Sequence, residues 1–177
     1  MRMKMLLAFA LLLPMVGPMV AHAQPEAAPT EDKETGPYAG EVFPRNASLK
    51  RGEVNVRSGP GTQYPILWIY WRTGYPVALL ARFDNYLKIR DLEGEEGWVH
   101  QAMVGKRETA LVAARAPINL YRNADPESRI KARLAPGVVV ALKDNEPCQG
   151  TYCEVEVVQN AEEGYVLREA LEFPVQN

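Results

Sequence analysis

The sequence predicts an all-β protein built from two tandem copies of one small β-barrel. Three observations lead to this fold class: short apolar alternations, turn residues between them, and an internal repeat. Ile130, Ala132 and Leu134 alternate with Lys131 and Arg133, which is the period-two pattern of a half-buried strand. Segments of this kind are bounded by Gly, Pro, Asp and Asn, as is typical of the short strands of a barrel or sandwich.

The internal repeat sets the predicted domain boundaries. Three strand-like segments of the first copy return in the same order in the second. They are Val54-Asn55-Val56 with Ile118-Asn119-Leu120, Leu87-Lys88-Ile89 with Val155-Glu156-Val157, and Gly97-Trp98-Val99 with Gly164-Tyr165-Val166. We therefore predict one barrel over residues 47–105 and a second over 110–173. Because units of this size are marginally stable alone, the short connector predicts that the two barrels pack on each other.

The N-terminal segment has the three parts of a secretory signal peptide. Arg2 and Lys4 precede an apolar stretch, which ends in the small-x-small triplet Ala21-His22-Ala23. We predict export with cleavage after Ala23, and no membrane span in the mature protein, since the stretch is shorter than a bilayer requires. Residues 24–46 are rich in Pro, Glu, Ala and Thr and predict a disordered lead-in. The mature protein would then be periplasmic or secreted.

Composition excludes several function classes. The chain has 20 Lys and Arg against 22 Asp and Glu, and no basic cluster of the kind that binds nucleic acid. His100 is the one histidine beyond the predicted cleavage site, so a zinc site or a histidine-activated nucleophile lacks its partners. Residues 128–131 fit the S-x-x-K spacing but fall at a predicted strand, whereas that motif opens a helix. We therefore expect no catalytic residues, no metal and no cofactor.

Two cysteines flank a predicted hairpin turn in the second copy. Cys148 and Cys153 lie close in sequence, and an exported chain oxidises such a pair. We predict a disulfide across the hairpin, which contributes on the order of 2 kcal/mol in the entropic model. The spacing is not Cys-x-x-Cys, so a thioredoxin-like redox centre is not indicated.

A polar loop motif opens the first copy. It runs Asn55-Val56-Arg57-Ser58-Gly59-Pro60-Gly61-Thr62, with Tyr64 after it, and the copy closes on Gly97-Trp98-Val99. This pattern resembles the bacterial SH3-like family. The resemblance implies a small, strongly bent barrel and, commonly, a role in attaching exported proteins to peptidoglycan or to peptides. The second copy has Asn119-Leu120-Tyr121-Arg122-Asn123-Ala124-Asp125-Pro126 in place of the motif with Ser-Gly-Pro-Gly, so there the resemblance implies the fold but not the loop function.

The loop motif has two interpretations. Gly59 and Gly61 can take positive φ at no steric cost, and Asn55 and Arg57 can bond loop carbonyls, which would make the motif a self-supporting loop. Alternatively, Arg57 and Tyr64 meet a carboxylate or peptide of a ligand. The sequence leaves both open.

The strand after this loop differs between the copies. Leu67 and Ile69 stand where the second copy has Lys131 and Arg133, so the first copy is apolar on both strand faces. At about 25 cal/mol per Å2, leaving these side chains in water forgoes roughly several kcal/mol, and we expect the face to be covered. Leu67, Ile69 and Trp71 are therefore candidate interface residues, covered either by the second barrel or by a partner.

Aromatic residues concentrate in the first copy, and exposed aromatic clusters favour recognition of peptides and glycans. The candidate ligand-binding residues are Arg57, Tyr64, Trp68, Trp71 and Trp98. We expect a non-catalytic exported module that binds peptidoglycan or a peptide in the cell envelope. The alternative is an envelope scaffold or adaptor that binds a protein partner through the apolar face of the first barrel.

Overall fold

The computed structural model describes residues 38, 40–143, 148 and 150–175, which belong to one compact unit. The predicted signal peptide and residues 24–37 of the predicted lead-in lie outside the described residues. Within the described ranges no helix is long and apolar enough to cross a bilayer. The secondary structure is almost entirely strand, which confirms the all-β fold class.

Seven antiparallel strands form a first sheet, in the order β3-β2-β6-β5-β4-β1-β7. They are β1 (Arg45–Leu49), β2 (Val54–Arg57), β3 (Ile66–Tyr70), β4 (Pro76–Phe83), β5 (Tyr86–Arg90), β6 (Glu96–His100) and β7 (Val104–Gly105). A single 3-10 turn, Gln101–Met103, precedes β7. We call these strands the first unit.

A second sheet repeats this topology strand for strand, in the order β10-β9-β13-β12-β11-β8-β14. Its strands are β8 (Thr109–Val112), β9 (Ile118–Tyr121), β10 (Ile130–Leu134), β11 (Val139–Leu142), β12 (Tyr152–Val157), β13 (Glu163–Leu167) and β14 (Leu171–Glu172). The 3-10 turn Arg168–Ala170 precedes β14, as in the first unit. The matching order confirms that the chain contains one fold twice, and we call these strands the second unit.

Each sheet is open, which differs from the closed barrel that the sequence predicted. Among the described residues, the edge strands β3 and β7 do not pair with each other, and neither do β10 and β14. β7 and β14 are two residues long and already pair with β1 and β8, so they have little backbone left with which to close a barrel. The units are SH3-like sheets, each with its own core.

Alternation along the strands builds these cores. On β5 and β6, Leu87, Ile89 and Val99 are fully buried, while Lys88 and Trp98 between them point to the outer face. The same alternation runs through the first and second units, so each sheet has one dry face and one face that carries polar and aromatic side chains.

The folded part begins before residue 47, the start that the sequence predicted. The Tyr38 ring is buried, and its hydroxyl donates to the Val104 carbonyl at 2.7 Å. Glu41 forms ion pairs with Arg45 and Lys106, and the hydrogen bond from Lys106 holds the pKa of Glu41 below its usual range. The buried Tyr38 ring and the ion pairs of Glu41 fix this segment against the first unit, although its composition alone predicted disorder.

The two units pack through one side of each sheet. The Thr109 hydroxyl donates to the Gly74 carbonyl at 2.7 Å, and Arg72 Nη1 donates to the Gly137 carbonyl at 2.9 Å. The Asn46 side chain, which is buried, forms a reciprocal pair of hydrogen bonds of 3.1 and 2.9 Å with the Val175 backbone. The Asn46 bonds join the start of the first unit to the end of the second, and the other two join the turn before β4 to β8 and to the turn before β11.

Candidate binding surface of the first unit

One cross-strand row crosses the outer face of the first sheet. Arg57 on β2 is opposite Trp98 on β6, and Trp98 is opposite Lys88 on β5. On the other side of Arg57, Ile66 of β3 completes the row. We call Ile66, Arg57, Trp98 and Lys88 the outer row. It places an indole between two cations, with an exposed aliphatic side chain at its end.

Charge pairing next to the outer row leaves its cations partly available. Glu96, two residues before Trp98, binds Lys88 Nζ at 2.7 Å and Arg90 Nη2 at 2.6 Å. The hydrogen bonds from Lys88 and Arg90 lower the pKa of Glu96, which keeps it ionised. Two cations share this carboxylate and Arg57 forms no ion pair among the described residues, so the surface is cationic on balance.

The second unit has different chemistry at the same register. Tyr121 is opposite Tyr165, and Tyr165 is opposite Glu154, so two phenols and a carboxylate stand where the outer row has Arg57, Trp98 and Lys88. The pKa of Tyr165 is raised, chiefly by its hydrogen bond with Glu154. The cationic aromatic row is therefore specific to the first unit.

Arg57 also holds the loop that follows β2. Its Nη1 donates to the carbonyls of Thr62 and Tyr64 at 3.2 and 2.8 Å. The loop-pinning interpretation is thus confirmed for Arg57. Gly59 and Gly61 do not adopt the positive φ that glycine permits. Gly59 is needed for space instead: a Cβ there would lie 2.5 Å from the Tyr64 ring, which packs directly on it.

Tyr64 and Trp71 extend the exposed surface on either side of β3. Tyr64 is 39% exposed in the loop before the strand, and Trp71 is 70% exposed directly after it. Neither ring lies in the outer row, but both belong to the part of the first unit that the sequence marked as rich in aromatics.

Trp68 lies on the opposite side of the sheet from Arg57 and Trp98. It is opposite Val56 and packs on the first core, edge-on to Tyr70 with ring centroids 6.3 Å apart. Tyr70 in turn stacks on Tyr75 at 4.9 Å. Trp68 therefore extends the core, and the structure does not bring it together with the other candidate ligand residues.

The carboxylates near this aromatic stack have structural roles. The Tyr70 hydroxyl donates to Asp91 Oδ2 at 2.6 Å, and Tyr75 donates to Glu93 at 2.9 Å. Burial raises the pKa of both phenols, so they remain protonated donors. Asp91 also accepts from the Glu95 backbone at 2.8 Å and thereby closes the turn between β5 and β6.

The apolar strand β3 is an edge of the first sheet. Leu67 is 50% exposed and Ile69 is half-buried, and among the described residues only β2 pairs with this strand. The second unit packs near Gly74 and Thr109 and leaves Leu67 and Trp71 exposed, so of the two alternatives, the second unit or a partner, the second unit does not cover them. The reason is that backbone and turn contacts form the junction.

The remaining polar candidates serve the fold. His100 Nδ1 accepts from the Ala102 backbone and so caps the first 3-10 turn, as expected of a turn residue. The Ser128 hydroxyl accepts from the Asn123 backbone at 3.0 Å within its loop. Cys148 and Cys153 form the predicted disulfide. No group of three or more potential metal ligands occurs in the part of the chain that the structure describes.

Sequence reasoning missed Lys88 and Ile66 as partners of Trp98 and Arg57. A signal for Lys88 was present: it alternates with buried Leu87 and Ile89 as Trp98 does with its neighbours, so both had to share the outer face. Their register across the hairpin, in contrast, depends on the length of the turn between β5 and β6.

Comparison with known proteins places this surface in a family. The family model for the bacterial SH3 domain matches residues 50–106, which cover β2 to β7. These residues form a bacterial SH3 domain. The outer row, the pinned loop and β3 all belong to this bacterial SH3 domain.

One relative shares sequence beyond the bacterial SH3 domain itself. The chain is 28% identical over 109 residues to the Bacillus subtilis (strain 168) protein named "Putative N-acetylmuramoyl-L-alanine amidase YrvJ". The match covers 62% of this chain and 20% of that protein, so the chain spans about a fifth of the length of its relative.

Two solved structures show weaker similarity. NlpC2 and NlpC1 from Trichomonas vaginalis are 14% and 12% identical to the chain, each with a TM-score of 0.31. The matches cover 74% and 79% of this chain and 48% of each of those chains. A TM-score of this size does not establish a shared fold.

Proposed function

We propose that this protein is a non-catalytic, exported binding module of the cell envelope, and that the outer row of its bacterial SH3 domain binds the peptide part of peptidoglycan. The observation that carries the proposal is the register of Arg57, Trp98 and Lys88, which puts an indole between two cations. Such a surface suits a short peptide with free carboxylates, because the cations pair with the carboxylates and the indole packs on the backbone.

Three further observations support a location and a partner in the envelope. Residues 50–106 match the bacterial SH3 domain, and the relative YrvJ bears the name of an enzyme that acts on N-acetylmuramoyl-L-alanine. The Cys148–Cys153 disulfide suits an oxidising compartment such as the periplasm or the medium. The N-terminal sequence features of a signal peptide fit the same location.

A sedimentation assay with purified sacculi tests the proposal. The mature protein is mixed with sacculi, and the bound fraction is compared for the wild type, Trp98→Ala and Tyr165→Ala. Tyr165 is the residue of the second unit at the register position of Trp98, so its truncation removes a similar ring from a similar site. We expect Trp98→Ala to lose most of the binding and Tyr165→Ala to keep it.

A charge variant strengthens the test without disturbing the loop. Lys88→Gln removes one cation of the outer row, whereas Arg57 also pins the loop and is left intact. Failure of the wild type to sediment with sacculi would contradict the proposal, and so would equal losses for Trp98→Ala and Tyr165→Ala. Release of soluble wall fragments by the purified protein would contradict its non-catalytic part.

A second candidate function, an adaptor that binds a protein partner, is favoured by the exposed edge strand β3. Its edge has no charged residue, whereas β10 has Lys131 and Arg133, which are the residues that proteins place on edges to prevent pairing. Leu67 and Ile69 at the same positions leave β3 open to pairing with a strand of a partner, and Trp71 adds an exposed ring next to it.

Exchange of these residues between the units tests the adaptor function. The variant Leu67→Lys with Ile69→Arg gives β3 the side chains of β10. We expect it to lose a stoichiometric partner that co-purifies with the wild type from envelope extracts, while sedimentation with sacculi persists. Loss of sedimentation together with an unchanged partner would exclude β3 as the protein-binding edge.

A further inference from the structure

A cationic pocket lies at the base of the long loop of the second unit. Arg122, Arg129, Lys131 and Glu162 line a cavity of about 440 Å3. The three cationic residues are exposed and Glu162 is half-buried. This cationic pocket is separate from the outer row, which belongs to the first unit.

The backbone forces the cations of this pocket together. The Arg122 N–H donates to the Arg129 carbonyl at 2.9 Å, so these two arginines are neighbours across the ribbon formed by β9 and β10. Like charges on opposite strands destabilise a ribbon unless something neutralises them. Lys131 Nζ lies 4.0 Å from Glu162 Oε1. Among the described residues neither Arg122 nor Arg129 has an ion-pair partner, so three positive charges share one negative charge.

The fold does not require these cations. In the first unit the same backbone hydrogen bond joins the Ser58 N–H to the Pro65 carbonyl at 3.1 Å. Leu67 occupies the bulge of β3 as Lys131 occupies the bulge of β10. Ser, Pro and Leu thus build the same local geometry in the first unit that Arg, Arg and Lys build in the second. Of the two units, only the second has positive charges at these positions, so the local fold does not account for them.

We propose that the cationic pocket binds an oxyanion of the phosphate class, as a phosphate monoester or a phosphodiester. Two guanidinium groups offer paired donors that match phosphate oxygens, and Lys131 adds a third positive charge. A pocket of about 440 Å3 has room for an organic phosphate, since ligand sites span roughly 300–1,000 Å3. Lys131 Nζ donates to the Glu163 carbonyl and lies within ion-pair distance of Glu162, so these two residues fix its position.

Titration followed by NMR tests this site on the mature protein. Inorganic phosphate and glycerol 1-phosphate are the probes, and acetate is the monoanionic control. We expect both phosphates to shift the amide signals of Arg122 and Arg129 at millimolar concentration, and acetate to bind at least about tenfold more weakly, a difference of about 1.4 kcal/mol. Equal affinity for acetate, or no shift with either phosphate, would overturn the proposal.

Matched variants separate the pocket from net charge. Arg122→Ser introduces the residue that the first unit has at that position, and Arg133→Gln removes one charge on β10 from a residue that does not line the pocket. We expect Arg122→Ser to weaken phosphate binding about tenfold or more and Arg133→Gln to change it less than about twofold. Equal weakening by both would show a diffuse charge effect and refute the site.

Vesicle flotation distinguishes a lipid phosphate from a soluble or polymeric phosphate. Vesicles of phosphatidylglycerol and of phosphatidylcholine are compared in flotation with the wild type and Arg122→Ser. Flotation that needs both phosphatidylglycerol and Arg122 would place the phosphate on a lipid, and soluble phosphate binding without flotation would place it on a soluble or polymeric ligand. Both support the proposal, and neither depends on whether the outer row binds sacculi.

Discussion

The junction between the two units can be tested with one pair of substitutions. Gly74 and Gly137 occupy corresponding turns, with φ of +75° and +79°. An alanine at either position meets the backbone penalty of the left-handed region, roughly 1–2 kcal/mol. The surroundings differ. A Cβ at Gly74 would lie 3.0 Å from Val158 Cγ1 and 3.4 Å from Val139 Cγ1 of the other unit, whereas a Cβ at Gly137 would meet only Arg72 Nη1, at 3.9 Å.

The two alanine variants should therefore differ in cost. Gly137→Ala carries the backbone penalty alone, and we expect it to lower the free energy of unfolding by roughly 1–2 kcal/mol. In Gly74→Ala the added methyl group also lies too close to Val158, and overpacking of this kind lowers the free energy of unfolding by about 1–3 kcal/mol more. At about 2–4 °C per kcal/mol for a folded unit of this size, the two melting temperatures should differ by roughly 2–12 °C.

Urea denaturation with the disulfide intact measures both variants. The midpoint should fall further for Gly74→Ala than for Gly137→Ala, with the slope unchanged if the units unfold together. Two separate transitions in Gly74→Ala would still agree with a damaged junction. Equal losses for the two variants would refute the reasoning, because the packing of Gly74 against the second unit would then contribute nothing.

Three further predictions concern stability. Reduction of the Cys148–Cys153 disulfide should lower the free energy of unfolding by about 2 kcal/mol, seen as a lower urea midpoint that reoxidation restores. Burial raises the pKa of Glu108, so its charged form lowers the free energy of unfolding at neutral pH. Glu108→Gln should therefore raise the urea midpoint at pH 7. This gain should vanish as the pH falls below the ordinary carboxyl pKa of about 4.3, where Glu108 is protonated in both states. Asn46→Ala should cost about 1–3 kcal/mol and speed hydrogen exchange at Val175, because both bonds to that buried side chain are lost.

The repeat and the fold class follow from the sequence because they depend on alternation. Each strand must bury every second side chain, so the pattern of residues such as Leu87, Lys88 and Ile89 fixes both the strand and its inner face. Turn glycines and the recurring Gly-aromatic-Val segment then mark where one copy ends. The opening of the sheets and the packing of Tyr38 could not be predicted in this way, since they depend on contacts between distant segments.

The candidate site was predicted in part for the same reason. Residue type alone indicates Arg57 and Trp98 as candidates, and the strand register brings them together on one face. Residue type also indicates Trp68, but the bulge at Leu67 shifts the alternation of β3 and leaves Trp68 on the core side opposite Val56. An apolar strand without polar residues gives no signal of which side faces inward, so only the pairing could decide this.

The outer row and the cationic pocket are both accessible in the same folded molecule, so one molecule can use both sites at once. The junction involves Gly74, Thr109 and Asn46, so it covers neither the outer row on β2, β5 and β6 nor the cationic pocket at β9 and β10. The two sheets belong to one compact part of the chain. Once one site has bound a polymer, the second site therefore meets the same polymer at a high effective concentration, because the second contact is intramolecular. On an envelope polymer with both peptide and phosphate groups, the loss of either site should then weaken binding far more than the affinity of that site alone implies. Because the junction keeps the two sites at a fixed spacing, Gly74→Ala should reduce this gain and leave the affinity of each site for its small ligand unchanged.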